Sequence, residues 1–199
     1  MLVHLEGNIA SGKTTLGESL AISPTFHFIP EPVPVWQTGF GINWLDRFYS
    51  DMPRWSFTFQ MAAFATRVAA LEDRPAAKIT IAERSIGTDR YAFAPGLHAT
   101  GGMDDHEWEL YRRFWDALSP NVSQPNAILY LRTPAAECLQ RLQMRSRAEE
   151  TGVTLAYLEE LEARHDEWLL DHPAVIVLNG LQHWTAAEIA AQIQAKTRA

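Results

Sequence analysis

The stretch GNIASGKTT, Gly7 to Thr15, follows directly on the apolar run LVHLE, and it restricts the fold more than any other feature. Read as G-x-x-x-x-G-K-[ST], it requires a strand before it and a helix after it, because the loop between them must turn backbone N–H groups inward around an anion. Gly7 and Gly12 stand where the loop turns, Lys13 is set to reach the terminal phosphates, and the Thr14 hydroxyl is set to hold Mg2+. Asn8, Ala10, Ser11 and Thr15 complete the loop. An accidental glycine-rich turn has no reason to sit between a strand-like and a helix-like run. The motif therefore specifies a bound nucleoside triphosphate, ATP or another, and leaves the acceptor open.

The rest of the chain repeats the same alternation. Short apolar runs at Leu2–Glu6, Phe26–Ile29, Lys78–Ala82, Ala127–Leu131 and Ala174–Leu178 read as strands buried on both faces. Helical patterns lie between them at Trp55–Leu71, Glu107–Leu118, Ala135–Glu149 and Leu155–Leu170, with an Ala-rich closing helix from Thr185. The expected fold is α/β, a five-stranded parallel sheet flanked by helices, in a single domain spanning residues 1–199. QTGFGINWLDRFYSDMPRW is expected to be a mobile segment punctuated by Gly39, Gly41 and Pro53, and PGLHATGGMDDHEW reads as a surface loop.

Composition removes several classes of function. A net charge of -7 argues against a nucleic-acid polymer as partner, since phosphate backbones are bound by an excess of Lys and Arg. No apolar run approaches the roughly 18 residues of a membrane span, and LVHLE begins at the second residue, so a cytoplasmic location with neither membrane anchor nor leader is expected. The single cysteine, Cys138, forms no internal disulfide, and the histidines show no zinc-type pairing with it.

In an open parallel sheet ligands bind beyond the carboxyl ends of the strands. There the second strand runs into EPVPVW and the third into ERSIGTDRYAF, bringing Glu31, Glu83, Arg84 and Asp89 to the side of the phosphate loop. Each alone would be an ordinary surface charge; together at one edge they read as a site. Glu31 is the natural base for a hydroxyl acceptor, Lys13 and Arg84 supply charge at the phosphates, and Glu83 joins Thr14 as a metal partner through water. Gln60 has the donor and acceptor needed to pair with the edge of a base, and Phe59, Phe93 and Trp36 offer stacking surface, although aromatic residues equally serve a core. Arg67 lies seven residues after Gln60 on the same helix face, and Asp89 is its expected partner.

GNIASGKTT, EPVPVW, RWSFTFQ, ERSIGTDRYAF and RSRAEETGVTLAYLEEL, in that order and spacing, resemble the deoxynucleoside kinases over nearly the whole chain. This group includes deoxycytidine, deoxyguanosine and mitochondrial-type thymidine kinases and the insect multisubstrate enzyme. The resemblance implies γ-phosphoryl transfer from a nucleoside triphosphate to the 5′-hydroxyl of a deoxynucleoside, with catalytic Glu31, Arg84 and Lys13, and a homodimer built on a helix bundle. It turns Arg141, Arg145 and Arg147, which alone could be a solvated helix face, into an arginine-rich lid over the triphosphate. Glu150, partnered by Tyr49, becomes the carboxylate for the sugar 3′-hydroxyl. Arg67 and Asp89 match positions that implicate cytosine and purine bases rather than thymine. NGLQHW departs from the acidic loop by which relatives frame the donor base, so the choice of donor stays open. A thymidine-accepting multisubstrate kinase, a nucleoside monophosphate kinase and a catalytically silent structural relative are the alternatives. The last two fit less well, because no spare basic cluster is seen near the pocket and Lys13, Glu31 and Arg84 are all retained.

Overall fold

The computed structural model describes residues 1–39, 41–72, 74–76 and 78–198. Among these residues, strands β1 (Leu2–Glu6), β2 (Phe26–Ile29), β3 (Ile79–Glu83), β4 (Ala127–Arg132) and β5 (Val175–Asn179) form one parallel sheet in the order β2-β3-β1-β4-β5. The connections contain α1 (Lys13–Ala21), α2 (Trp44–Ser50), α3 (Met52–Ala70), α4 (Ala94–Ala99), α5 (Asp105–Leu118), α6 (Ala135–Arg145), α7 (Leu155–Leu169) and α8 (Ala186–Arg198). All five strands lie within one residue of the apolar runs that announced them. β3 ends one residue later than its run because the ladder pairs Leu5 with Glu83, which makes Glu83 the last strand residue.

The strands are mainly apolar because both faces of the sheet are largely covered, with His4, Glu6, Thr80 and Glu83 as buried polar exceptions. On one face Leu16, Leu20, Ile189 and Ile193 of α1 and α8 close over Val3, Leu5, Leu129 and Leu178. On the other, Leu169 of α7 packs on Ile128, Tyr130 and Val175. A third apolar cluster joins α2, α3, α4 and α5 through Phe48, Phe59, Ala63, Leu97 and Tyr111. Among the described residues no helix is long and apolar enough to cross a membrane.

Three expectations need correction. The segment Gln37–Trp55, read as mobile, contains α2, whose N-terminus is capped by the Asn43 side chain accepting from Asp46 N at 2.9 Å and whose Leu45 and Phe48 are buried; Phe40, within that segment, lies outside the described residues. Pro53 does not interrupt but sits in the first turn of α3, where its missing N–H costs nothing. PGLHATGGMDDHEW holds α4, the buried Leu97 and Met103, and the Asp104–Glu107 capping box that starts α5. Finally, the helix expected to reach Glu149 stops at Arg145, because Ser146 turns left-handed (φ 52°), and a single tight turn, Ala148–Glu150, follows.

Helix α1 rides unusually close to the sheet. A Cβ built on Gly17 would lie 2.1 Å from the Phe28 ring. Alanine normally favours a helix interior over glycine by about 1 kcal/mol. Here Gly17→Ala is expected to destabilise by about 1–3 kcal/mol through overpacking, and Gly17→Ala with Phe28→Leu is expected to recover most of the loss in a thermal melt. A Gly17→Ala protein as stable as the parent would show that α1 shifts freely.

Candidate active site

The chain leaves β1 toward β2 and leaves β3 toward β4, so adjacent strands send their connections in opposite directions and a crevice opens at their carboxyl ends. A cleft of about 700 Å³ lies there, running from the phosphate loop to the face of α3. It brings together nearly every residue singled out from the sequence.

The phosphate loop lies on the ends of β1 and β4. Gly7 has φ 148°, and a Cβ there would stand 2.7 Å from the Leu131 carbonyl oxygen, so neither the conformation nor the space admits a side chain. Thr133 Oγ1 and Arg141 Nη1 donate to the Ser11 carbonyl at 2.9 and 2.8 Å, fixing the loop from outside. The Asn8 side chain points away from the loop opening and donates to Leu158 O at 2.8 Å. Lys13 Nζ donates to Asn8 O at 2.7 Å. Burial and the neighbouring Arg84 charge bring its ammonium down to about 8. The Thr14 hydroxyl donates to both Glu83 oxygens at 3.0 and 2.9 Å. One hydroxyl and one carboxylate beside a phosphate site suit Mg2+, which keeps several waters and takes few protein ligands.

Glu31 lies where β2 opens onto the cleft and is held by two cations. Arg67 Nη2 is 2.9 Å and Arg84 Nε 3.2 Å from Glu31 Oε1, the second too poorly aligned to count as a hydrogen bond. Burial alone would raise the Glu31 carboxyl, but Arg84, Arg67 and Lys13 outweigh it and draw it down to about 2. Arg67 also grips Asp89, with Nε to Oδ2 at 3.0 Å and Nη2 to Oδ1 at 3.3 Å. The expected pair is therefore present, and it shares one guanidinium with Glu31. At Asp89 burial exceeds the pull of Arg67, and the carboxyl rises to about 6. It is still mainly ionised at neutral pH.

The end of the cleft away from the phosphate loop is lined by α3 and the segment before it. Gln60 is buried, and its Oε1 has no hydrogen-bond partner among the described residues. Phe59 meets Trp36 edge-on at 5.2 Å, and Trp36 Nε1 donates to Thr66 Oγ1 at 2.9 Å. Phe93 lies under the Arg84 guanidinium at 5.0 Å, so it supports the arginine as well as lining the cleft. Phe48, stacked on Phe59 at 4.8 Å, and Leu45 also line the pocket and were not singled out from the sequence. Their i, i+3 spacing after a capping Asn43 was the available signal.

Arg141, Arg145 and Arg147, the arginines expected to form a lid, divide into two groups. Arg141 is bound to Ser11 O, to Gly180 O at 3.1 Å and to Glu137 at 2.8 Å. Arg145 and Arg147 both pair with the buried Glu150, Arg147 at 2.8 Å. Tyr49 lines the same part of the cleft, its hydroxyl pushed up by burial and by Tyr157 and Glu150. Glu149, not singled out from the sequence, accepts from Gln37 Nε2 at 2.9 Å and Asn43 Nδ2 at 2.8 Å, joining the Ala148–Glu150 turn to the start of α2.

A phosphate loop, a neighbouring carboxylate clamped by arginines and an apolar slot with an unpaired amide oxygen define a nucleoside triphosphate-dependent phosphotransferase with a small ring-bearing acceptor. The family model described as deoxynucleoside kinase matches residues 3–194. The chain belongs to that family and is an ATP-dependent deoxynucleoside kinase. It is 37% identical to deoxycytidine kinase 2 of Gallus gallus, covering 85% of this chain and 74% of that protein. It is 36% identical to deoxycytidine kinase of Mus musculus, covering 84% and 75%. With the mitochondrial thymidine kinase 2 of Homo sapiens it shares 34% identity, covering 85% and 64%.

The Lys13 ammonium gives the site a pH dependence. It loses its proton as pH rises through about 8 in the free enzyme, whereas bound triphosphate would hold the proton on. At limiting ATP, kcat/KM is therefore expected to fall above about pH 8 while kcat stays flatter. Equal alkaline profiles for both constants would remove Lys13 from that role.

Proposed function

We propose that this enzyme phosphorylates the 5′-hydroxyl of deoxycytidine and of purine deoxynucleosides in preference to thymidine, in a single domain and in the cytoplasm. The observation that carries the reading is the buried Arg67–Asp89 pair beside Gln60. A buried carboxylate accepts from an exocyclic amino group such as cytosine N4, while thymine would present it with a second acceptor. The guanidinium, 5.2 Å from the Trp36 ring, fills space that a thymine 5-methyl would need. Ala63, one turn before Arg67 and buried, leaves room for a purine. The competing reading, a thymidine-accepting enzyme, draws on the 34% identity with a thymidine kinase.

In the proposed reaction Glu31 accepts a hydrogen bond from the 5′-hydroxyl and receives its proton. A carboxyl drawn down to about 2 is a weak base, so its first service is orientation, with the proton moving late in a loose transition state. Lys13 and Arg84 meet the charge on the transferring phosphoryl group. Mg2+ held by Thr14 and, through water, Glu83 would neutralise charge on the triphosphate oxygens. Arg145 and Arg147, with Arg141 at their base, cover the phosphates and exclude water. Glu150 and Tyr49 hold the sugar 3′-hydroxyl. The apolar residues Leu110, Phe114 and Leu118 form an exposed stripe along α5, which suits a homodimer through the helical layer.

Glu31→Gln is expected to keep deoxynucleoside binding while lowering kcat by roughly 10² to 10⁴; a kcat within threefold of the parent would exclude Glu31 from the step. For selectivity, kcat/KM for the four deoxynucleosides decides, measured above pH 7 where Asp89 is ionised. Thymidine is expected to be the poorest, and Arg67→Met with Asp89→Ala is expected to raise its use. Thymidine equal to the best of the others would overturn the pocket reading.

A further inference from the structure

Glu6 ends β1, one residue before the phosphate loop, and its side chain is fully buried. Burying a carboxylate is costly unless its oxygens are satisfied. No ion pair reaches Glu6 among the described residues. It is satisfied by two hydroxyls instead: Ser85 Oγ donates to Oε1 at 2.6 Å and Thr88 Oγ1 donates to Oε2. Burial raises the carboxyl, and the two hydroxyls oppose that rise.

Both hydroxyls belong to the turn that follows β3. Arg84 N still bonds Leu5 O at 3.0 Å, one step beyond the last strand residue. Arg84 then takes φ 63°, a left-handed conformation that a long side chain adopts only when its surroundings force it. Ser85 Oγ, bound to Glu6, also accepts from Gly87 N at 3.0 Å, and Thr88 closes the turn on the other carboxylate oxygen. The turn directs the Arg84 guanidinium toward Glu31 and delivers Asp89, the residue after Thr88, to Arg67. An acceptor-only group with two oxygens fits this duty. An amide has a single acceptor oxygen and would offer N–H donors to the second hydroxyl.

We propose that Glu6 is a positioning residue for phosphoryl transfer: by holding Ser85 and Thr88 it fixes the strained turn that carries Arg84, without touching substrate itself. The proposal rests on the reading of Arg84 as the cation at the transferring group. The test is a double-mutant cycle on kcat and KM, with the best of the four deoxynucleosides and with ATP. Glu6→Gln is expected to lower kcat at least tenfold with both KM values within threefold, and to lower it less than twofold further in an Arg84→Ala background. A kcat within twofold of the parent, or an equal loss in both backgrounds, overturns the proposal. An Arg84→Ala enzyme with parental kcat overturns it too, by removing the role of Arg84, and that result is distinguishable because Glu6 is intact in it. Should Glu6→Gln fail to fold, Thr88→Val, which removes one donor and little volume, carries the same criteria: a lowered kcat that disappears in the Arg84→Ala background, or an overturned proposal.

Discussion

Two arginines with almost no access to water, Arg67 and Arg84, are the constraint from which the rest of the site follows. Each is desolvated by its surroundings, and burying a guanidinium is costly without anionic partners. Glu31 and Asp89 are those partners, and they come from the ends of two different strands. The arginines therefore draw the loop after β2, the turn after β3 and helix α3 into one geometry, and the aromatics Trp36 and Phe93 close over the guanidinium faces. Because Arg67 contacts both carboxylates, the parts of the cleft proposed to meet the base and the reacting hydroxyl share one charge. A substitution at Asp89 is consequently felt at Glu31, even though the two carboxylates have different duties in the proposed reaction.

The sheet makes that arrangement possible by keeping these groups at one edge. Parallel strands end together, so the phosphate loop after β1, Glu31 after β2 and the Arg84 turn after β3 emerge side by side. The apolar clusters on both faces hold the strands in register. Packing supplies the position, and the loops supply the chemistry.

Much of this was legible in the sequence. All five strands could be read to within one residue, because a strand largely buried on both faces is a short, predominantly apolar run. The convergence of Lys13, Glu31, Arg84 and Asp89 followed from knowing only that parallel strands share a carboxyl edge. What escaped was local. The α2 helix is short and rich in aromatic and polar residues, and its register depends on a single capping asparagine, so the glycines around it suggested a loop. The early stop of α6 depends on one serine in a left-handed conformation, which no propensity announces. Glu6 looked like the last residue of an otherwise apolar strand; only the hydroxyls brought to it from 79 and 82 residues away explain a carboxylate there. The rise of Asp89 likewise depends on how completely it is enclosed, which sequence spacing does not reveal.

The bonds of Arg141 have a mechanical meaning for the segment beyond it. By joining the Ser11 carbonyl to the Gly180 carbonyl, that side chain rivets α6 to the floor of the cleft at its penultimate turn. The backbone leaves the helix at Ser146, so any swing of the covering segment pivots there and engages only a short lever ending in the Ala148–Glu150 turn. Arg141 and the backbone of Arg145, the last residue of α6, stay with the floor, while Arg147 lies beyond the pivot. A short lever has a small arc and little surface to reorganise.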